Sequence, residues 1–146
     1  MKVLFIGGTG TISMAISRLL LSQGHTLYLL NRGNRNTGLS GNLSELKADI
    51  NDEAAVSDLI RDLDFDVVAD FIAFVPEQLK RDYRLFGGKT RQFIYISSAS
   101  AYQKPLSDYR VSEGTPLANP YWEYSRNKIA GEDYLMRLYR EEGFPV

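Results

Sequence analysis

KVLFIGGTGTISMAISRLLLSQG, residues 2–24, decides how this chain is read. Lys2 to Ile6 is a short apolar, β-branched run ending in glycines, the pattern of a strand buried on both faces. From Thr11 to Gln23 the apolar residues Ile12, Ala15, Ile16, Leu19 and Leu20 recur at helical spacing, and Gly24 follows as a stop. Strand, glycine turn and helix come in that order. Gly7, Gly8 and Gly10 occupy the turn, where glycine permits a tight bend and lets backbone N–H groups approach a phosphate at the positive end of the helix. Ser13 stands where a third glycine would bring helix and strand together. The rival reading is a turn that needs positive φ and nothing more, but the position at the first strand–helix junction favours a phosphate cradle.

Outward from that turn, Thr26 to Leu30 predicts a second strand, and NRGNRNTGLSGN, residues 31–42, a polar glycine-rich loop. LSELKADI, residues 43–50, predicts a shorter third strand ending near Asp49, with a helix from an Asp52 N-cap to Asp62. FDVVADFIAF, residues 65–74, reads as the fourth strand, Pro76 to Leu85 as a proline-opened helix, and RQFIYISS, residues 91–98, as the fifth strand. Ala99 to Pro120 has three prolines and no regular period, so it is an expected ordered loop. A long helix follows from Tyr121 to about Glu142, with Gly143 as its stop, and the final FPV is where another strand would begin.

Strands alternating with helices require an α/β architecture: a doubly wound parallel sheet with right-handed crossovers and helices on both faces. The expected strand order is 3-2-1-4-5. Residues 1–146 are read as one such domain, and because doubly wound sheets usually continue past a fifth strand, as the front part of a longer chain.

Composition narrows the function classes. With 44% apolar and 24% charged residues, the chain can bury a core. It has no apolar run long enough to cross a membrane and no apolar leader, so a cytoplasmic location is expected. Zero cysteines remove disulfides, thiolate nucleophiles and zinc–thiolate sites, and one histidine cannot build a metal site alone, so no metal is expected. That residue, His25, lies where the first helix passes into the second strand and is read as structural. A net charge of -1 lacks the basic excess of a phosphate-backbone binder, which disfavours nucleic acid.

At the end of the second strand an Asp or Glu would accept hydrogen bonds from the ribose of NAD; here Leu30 is followed by Asn31 and Arg32. With no carboxylate to repel a 2′-phosphate and a guanidinium to pair with it, NADP(H) fits better than NAD(H), with Arg35 assisting. Asp49 is placed to meet an adenine edge, its alternative being a turn residue ahead of the helix cap. Gly7, Gly10, Thr11, Ile12, Asn31, Arg32, Asp49 and Ile50 form the expected cofactor wall.

YSRNK places Tyr124 and Lys128 at i and i+4, on one helix face. An ammonium near a phenol favours the phenolate, which suits tyrosine to moving a hydroxyl proton. Spacing alone is weak, because such pairs arise by chance. The pair gains weight from its place on the helix after the fifth strand, whose end, ISSASAY, brings Ser97 and Ser98 to the carboxyl edge of the sheet beside the glycine turn.

GGTGTIS at the first turn, Asp49-Ile50 after the third strand, FIYISSASAY and YSRNK together resemble the extended short-chain dehydrogenase/reductase superfamily, in its NAD-dependent epimerase/dehydratase branch. The resemblance runs over the whole chain in the right order. It implies an NAD(P)-binding Rossmann fold and a catalytic set of Ser98, Tyr124 and Lys128. Tyr124 would be the acid/base, Lys128 would bind the nicotinamide ribose and tune the tyrosine, and Ser98 would hold the substrate oxygen. Tyr124 and Lys128 thereby join the cofactor contacts. Ser98 is chosen over Ser97 by its spacing to Tyr102. Gln103 stands where a glycine often follows that tyrosine, and DFIAF leaves the fourth strand's cofactor contact unassigned.

The implied activity is an NAD(P)-dependent epimerase, dehydratase or reductase acting on a hydroxyl or keto group, with a nucleotide sugar as the expected small-molecule substrate. The alternative is a non-catalytic or RNA-associated relative that keeps the fold for binding. On the last helix, Ile129, Tyr134, Leu135 and Leu138 form an apolar stripe read first as core packing; relatives pair such helices, which leaves a homodimer as the second reading.

Overall fold

A computed structural model describes residues 1–34 and 38–146, and Arg35 lies outside the described residues. Five parallel strands form one sheet in the order β3-β2-β1-β4-β5. They are β1 (Lys2–Ile6), β2 (Thr26–Asn31), β3 (Leu43–Lys47), β4 (Val67–Asp70) and β5 (Phe93–Tyr95). The helices are α1 (Thr11–Ser22), α2 (Glu53–Leu59), α3 (Pro76–Phe86) and α4 (Glu123–Glu142), with a short 3-10 turn at Ala99–Ala101.

Alternation along the strands divides the core in two. Leu4, Ile6, Leu30, Val68 and Phe93 meet α2, α3 and α4 through Val56, Ile60, Leu79, Phe86, Leu135 and Leu138. Val3, Phe5, Leu27, Leu29 and Ala69 face the other way, toward Leu20 and Leu21 of α1. The expected doubly wound α/β sheet is therefore present, with α1 on one face and three helices on the other. Leu135 and Leu138 lie in the core, as the packing reading of their stripe requires. Among the described residues no helix is long and apolar enough to cross a membrane.

Register brings the strand ends to one edge. Ile6 pairs with Leu30 and with Asp70, Asn31 with Lys47, and Asp70 with Tyr95. Every segment expected to carry chemistry leaves the sheet there.

Several elements differ from the pattern-based expectation. Of the Ile12, Ala15, Ile16, Leu19 and Leu20 stripe of α1, Leu20 packs on the sheet, but Ile12 is 63% and Leu19 55% exposed, while Ser13 and Ser17 are buried. The helix starts against the glycine turn, where only small side chains fit between it and the sheet. β4 stops at Asp70 rather than near Phe74, because the Asp70 carboxylate captures the N–H groups of Ile72 and Ala73 and turns the chain out of the sheet. β5 is shorter than expected, and α2 ends at Leu59 rather than at Asp62. α4 begins at Glu123 because Trp122 is extended, at φ -122° and ψ 125°. The closing FPV forms no strand; Phe144 is buried against the Tyr83 and Phe93 rings, each at 5.2 Å, and Pro145 O accepts the Phe93 N–H at 2.6 Å.

Candidate functional site

The switch point lies where α1 and α3 leave β1 and β4 on opposite faces of the sheet. A cleft of about 470 Å³ opens there, lined by Gly7, Thr9, Gly10, Leu30, Asn31, Arg32, Asn34, Ala48, Asp49, Ile50, Asn51, Ile72, Phe74 and Gln78. Four strand ends contribute to it.

The glycines do different work. Gly7 has φ +77°, and a Cβ there would lie 2.4 Å from Ile72 Cγ2. A Cβ on Gly8 would come within 2.5 Å of Leu29 Cδ2 and 2.9 Å of Phe5 Cβ, so Gly8 serves the packing of turn on sheet. At Gly10 the nearest atom to an added Cβ is Ser13 Oγ at 3.5 Å, so glycine there is not demanded by the fold. Ser13 replaces the expected third glycine without opening the turn: it is buried and hydrogen-bonds Gly7 and Gly10.

At the end of β2, Asn31 Oδ1 accepts the Gly33 N–H at 2.7 Å. Its buried Nδ2 has no hydrogen-bond partner among the described residues, and Asn31 lines the cleft. Arg32 and Asn34 are exposed on the same wall. Asp49 lines the cleft, and its Oδ1 accepts from Asn51 N at 2.9 Å and Nδ2 at 3.0 Å, the contacts of a turn residue ahead of the helix cap. A glycine open on its cleft side and the polar wall of Asn31, Arg32 and Asp49 fit the phosphates and ribose of a dinucleotide. Thr11 and Ile12 are exposed in the first turn of α1 and stand outside this lining.

The sequence left the β4 contribution unassigned, and the structure supplies Ile72, Phe74 and Gln78. Gln78 Oε1 accepts the Phe74 N–H at 2.6 Å and the Val75 N–H at 3.2 Å, which fixes the turn carrying the Phe74 ring. The hydrophobicity of DFIAF masked this, because Ile72 and Phe74 read as buried strand residues yet are exposed in the cleft.

Lys128 is only 1% exposed, and its ammonium donates to Ala73 O at 2.7 Å and Ile96 O at 2.8 Å. It thus ties the segments that leave β4 and β5. The rings of Tyr95, Phe74 and Tyr124 surround it, with centroids at 4.5, 5.1 and 5.7 Å. Burial pushes the ammonium below the ordinary lysine range, against the attraction of Asp70 and Glu132. Tyr124 stands in an aromatic row, 4.8 Å from Trp122 and 6.3 Å from Phe74.

Ser98 caps the 3-10 turn: its Oγ accepts the Ser100 N–H at 3.2 Å and shares a hydrogen bond with Ser100 Oγ at 2.9 Å. Ser125 donates to Ser100 Oγ at 3.0 Å, so a hydroxyl chain links Ser98 to the helix bearing Tyr124. Ser97 instead donates to Glu132. Ser97, Ser98, Tyr102, Leu117 and Glu132 line a second cleft of about 340 Å³. Tyr124 and Lys128, both on α4, line neither cleft. Glu132 was missed by sequence reading, although it continues the Tyr124–Lys128 spacing by four residues.

Strand order, glycine turn and switch-point cleft define a Rossmann-type α/β fold. Residues 3–146 match the model of the NAD dependent epimerase/dehydratase family, and the chain belongs to that family. A UDP-glucose 4-epimerase of Lactobacillus helveticus is 28% identical over 163 residues, which cover 98% of this chain and 48% of that protein. The chloroplast stem-loop binding protein of 41 kDa b from Arabidopsis thaliana is 30% identical over 116 residues, 70% of this chain and 30% of that one. The chain thus spans half or less of the curated relatives it matches. Among solved structures, the dTDP-glucose 4,6-dehydratase of Bacillus anthracis, in complex with NAD, superposes with a TM-score of 0.84 at 21% identity, over 100% of this chain and 53% of that one. That likeness is one of fold.

Proposed function

We propose that the switch-point cleft binds a nicotinamide dinucleotide and that the chain carries the cofactor half of an epimerase, dehydratase or reductase acting on a hydroxyl or keto group. The observation that carries this reading is the convergence of Gly10, Asn31, Arg32 and Asp49 on one cleft. Gly7 and Gly10 would receive the pyrophosphate, with Thr11 and Ile12 at the helix start, and Asp49 and Ile50 would flank the adenine. Arg32, with no carboxylate at the end of β2, favours a 2′-phosphate and hence NADP(H).

When bound, the nicotinamide accepts or returns a hydride. Tyr124 moves the substrate's hydroxyl proton, Ser98 holds that oxygen, and Lys128 keeps a positive charge beside the tyrosine ring. A nucleotide sugar is the substrate class, supported by the UDP-glucose 4-epimerase relative. Calorimetric titration with NADPH and NADH tests the reading: tight NADPH binding that Arg32→Ala weakens supports it, and binding of neither sinks it.

The stem-loop binding relative favours a second reading, in which the fold binds RNA. A net charge of -1 argues against it. Fluorescence anisotropy with a labelled RNA stem-loop decides, since salt-sensitive binding without dinucleotide affinity would replace the first reading with this one.

A further inference from the structure

Beneath the cleft lies a buried polar group that the proposed chemistry does not use. Asp70 at the end of β4 and Asp82 on α3 are both 0% exposed, and Arg81 between them is 5% exposed. Arg81 donates to Asp82 Oδ1 from Nε at 2.9 Å and from one terminal nitrogen at 2.8 Å. That same terminal nitrogen lies 3.6 Å from Asp70 Oδ2, and the other donates to Asn51 Oδ1 at 2.8 Å. Asn51 in turn donates to Asp49 Oδ1. A continuous path therefore runs from the buried acids to a carboxylate on the cleft wall.

The two acids leave two orphan atoms, Asp70 Oδ2 and Asp82 Oδ2, neither with a hydrogen-bond partner when both groups are ionised. Both carboxyl groups meet the one Arg81 guanidinium, Asp82 through two hydrogen bonds and Asp70 at 3.6 Å, and each acts on the other electrostatically. One proton shared by the pair would satisfy both atoms at once, and the single buried guanidinium would then balance a single buried negative charge.

We propose that Asp82 and Arg81 are positioning residues for the cleft: Asp82, as a neutral acid bonded to Asp70, orients Arg81, which holds Asn51 and through it Asp49 against the ligand. The inference rests on the dinucleotide reading of that cleft. Burial and the neighbouring Asp70 charge push Asp82 up to about 9, so it keeps its proton at neutral pH. The titratable and charged groups acting on this cluster are Asp70 from β4, the Tyr95 phenol from β5, Arg81 and Arg84 from α3, Glu53 from α2 and Lys128 from α4. Ala73 joins the two ends of the site, giving its N–H to Asp70 and its carbonyl to Lys128.

The experiment is calorimetric titration of the wild type, Asp82→Asn, Asp82→Ala and Arg81→Met with NADPH and NADH, with thermal unfolding of each as the fold control. Asparagine keeps a neutral donor toward Asp70 and an acceptor toward Arg81, so Asp82→Asn binds as the wild type does. Asp82→Ala and Arg81→Met bind about three- to thirty-fold more weakly. Wild-type affinity falls as pH approaches about 9, and Asp82→Asn abolishes that fall. Should alanine or methionine prevent folding, the pH profile of the foldable asparagine variant decides. Equal loss in Asp82→Asn and Asp82→Ala makes Asp82 an ionised partner and overturns the proposal, as does wild-type affinity in Asp82→Ala. A wild type that binds neither nucleotide overturns the dinucleotide reading and this inference with it, whereas a binding wild type with indifferent variants overturns the inference alone.

Discussion

Ser13 Oγ closes the glycine turn on itself, accepting the Gly10 N–H at 2.9 Å while its proton is shared between the Gly7 and Gly10 carbonyls, each at 3.2 Å. The hydroxyl thus does by hydrogen bonding what a third glycine would do by close approach. Ser13→Ala removes these bonds without adding volume and strips the Gly10 N–H of its acceptor. The expected loss is about 1–2 kcal/mol, a fall of roughly 4 °C in Tm by calorimetry. An unchanged Tm would mean that water replaces the hydroxyl.

The contrast between Gly8 and Gly10 gives a second prediction. Gly8→Ala drives a methyl into Leu29 and Phe5, and overpacking of this kind destabilises by about 1–3 kcal/mol. Gly10→Ala meets only ordinary contact with Ser13, so it leaves thermal unfolding almost unchanged. Its methyl obstructs the phosphate cradle, and NADPH affinity drops by about tenfold or more. Thermal unfolding and calorimetric titration on the same two variants separate packing from binding; nucleotide affinity retained in Gly10→Ala would argue against a phosphate at this turn.

What the sequence made legible follows from which physical signals are local. Strand order and the glycine turn were readable because apolar period and glycine spacing are written within a few residues. The inward face of α1 was not, since Ser13 and Ser17 reach the sheet only because the turn brings the helix close, a distance no helical periodicity encodes. Ile72 and Phe74 were misread because exposure in a cleft and burial in a strand select the same side chains. Asp82 left a usable trace, a charge at the inward i+3 position after Leu79, where an amphipathic helix should be apolar.

Asp82 also sets the pH dependence of stability. Burial, with the neighbouring Asp70 charge, pushes its carboxyl from the ordinary value of 3.8 in the unfolded chain up to about 9 in the folded one. Between those values the folded state holds the extra proton, so this group's contribution is fully present at acid pH and declines as pH rises toward about 9. Asp82→Asn cannot lose a proton, and its Tm relative to the wild type should therefore climb steadily from mildly acid to alkaline buffer. A constant difference across that range would place the proton elsewhere.

Gly131 marks the close approach of α4 to its neighbours. A Cβ there would lie 2.9 Å from Leu79 Cδ1 and 3.0 Å from the Tyr95 hydroxyl oxygen. Leu79 is fully buried and the Tyr95 ring packs against the Lys128 ammonium, so neither yields easily. Alanine gains about 1 kcal/mol of helix propensity, but overpacking removes about 1–3 kcal/mol. Gly131→Ala should be net destabilising in urea unfolding, and a stabilised variant would show that the helix can shift outward at no penalty.

Lys128 combines a catalytic expectation with a structural duty, and two substitutions separate them. Lys128→Met keeps the length of the side chain and removes the ammonium that joins Ala73 O to Ile96 O, leaving two carbonyls without that donor between β4 and β5. An unsatisfied buried acceptor costs about 1–3 kcal/mol, partly offset here because the lysine was itself desolvated. Tyr124→Phe removes one hydroxyl from a half-buried ring and leaves the aromatic row with Trp122 and Phe74 in place. Its stability should match the wild type within about 0.5 kcal/mol. Urea unfolding of both variants, beside single-turnover hydride transfer, therefore carries the distinction: Tyr124→Phe loses turnover with its fold intact, whereas Lys128→Met loses both. A stable Lys128→Met would remove the structural duty, and an active Tyr124→Phe would remove the tyrosine from the chemistry.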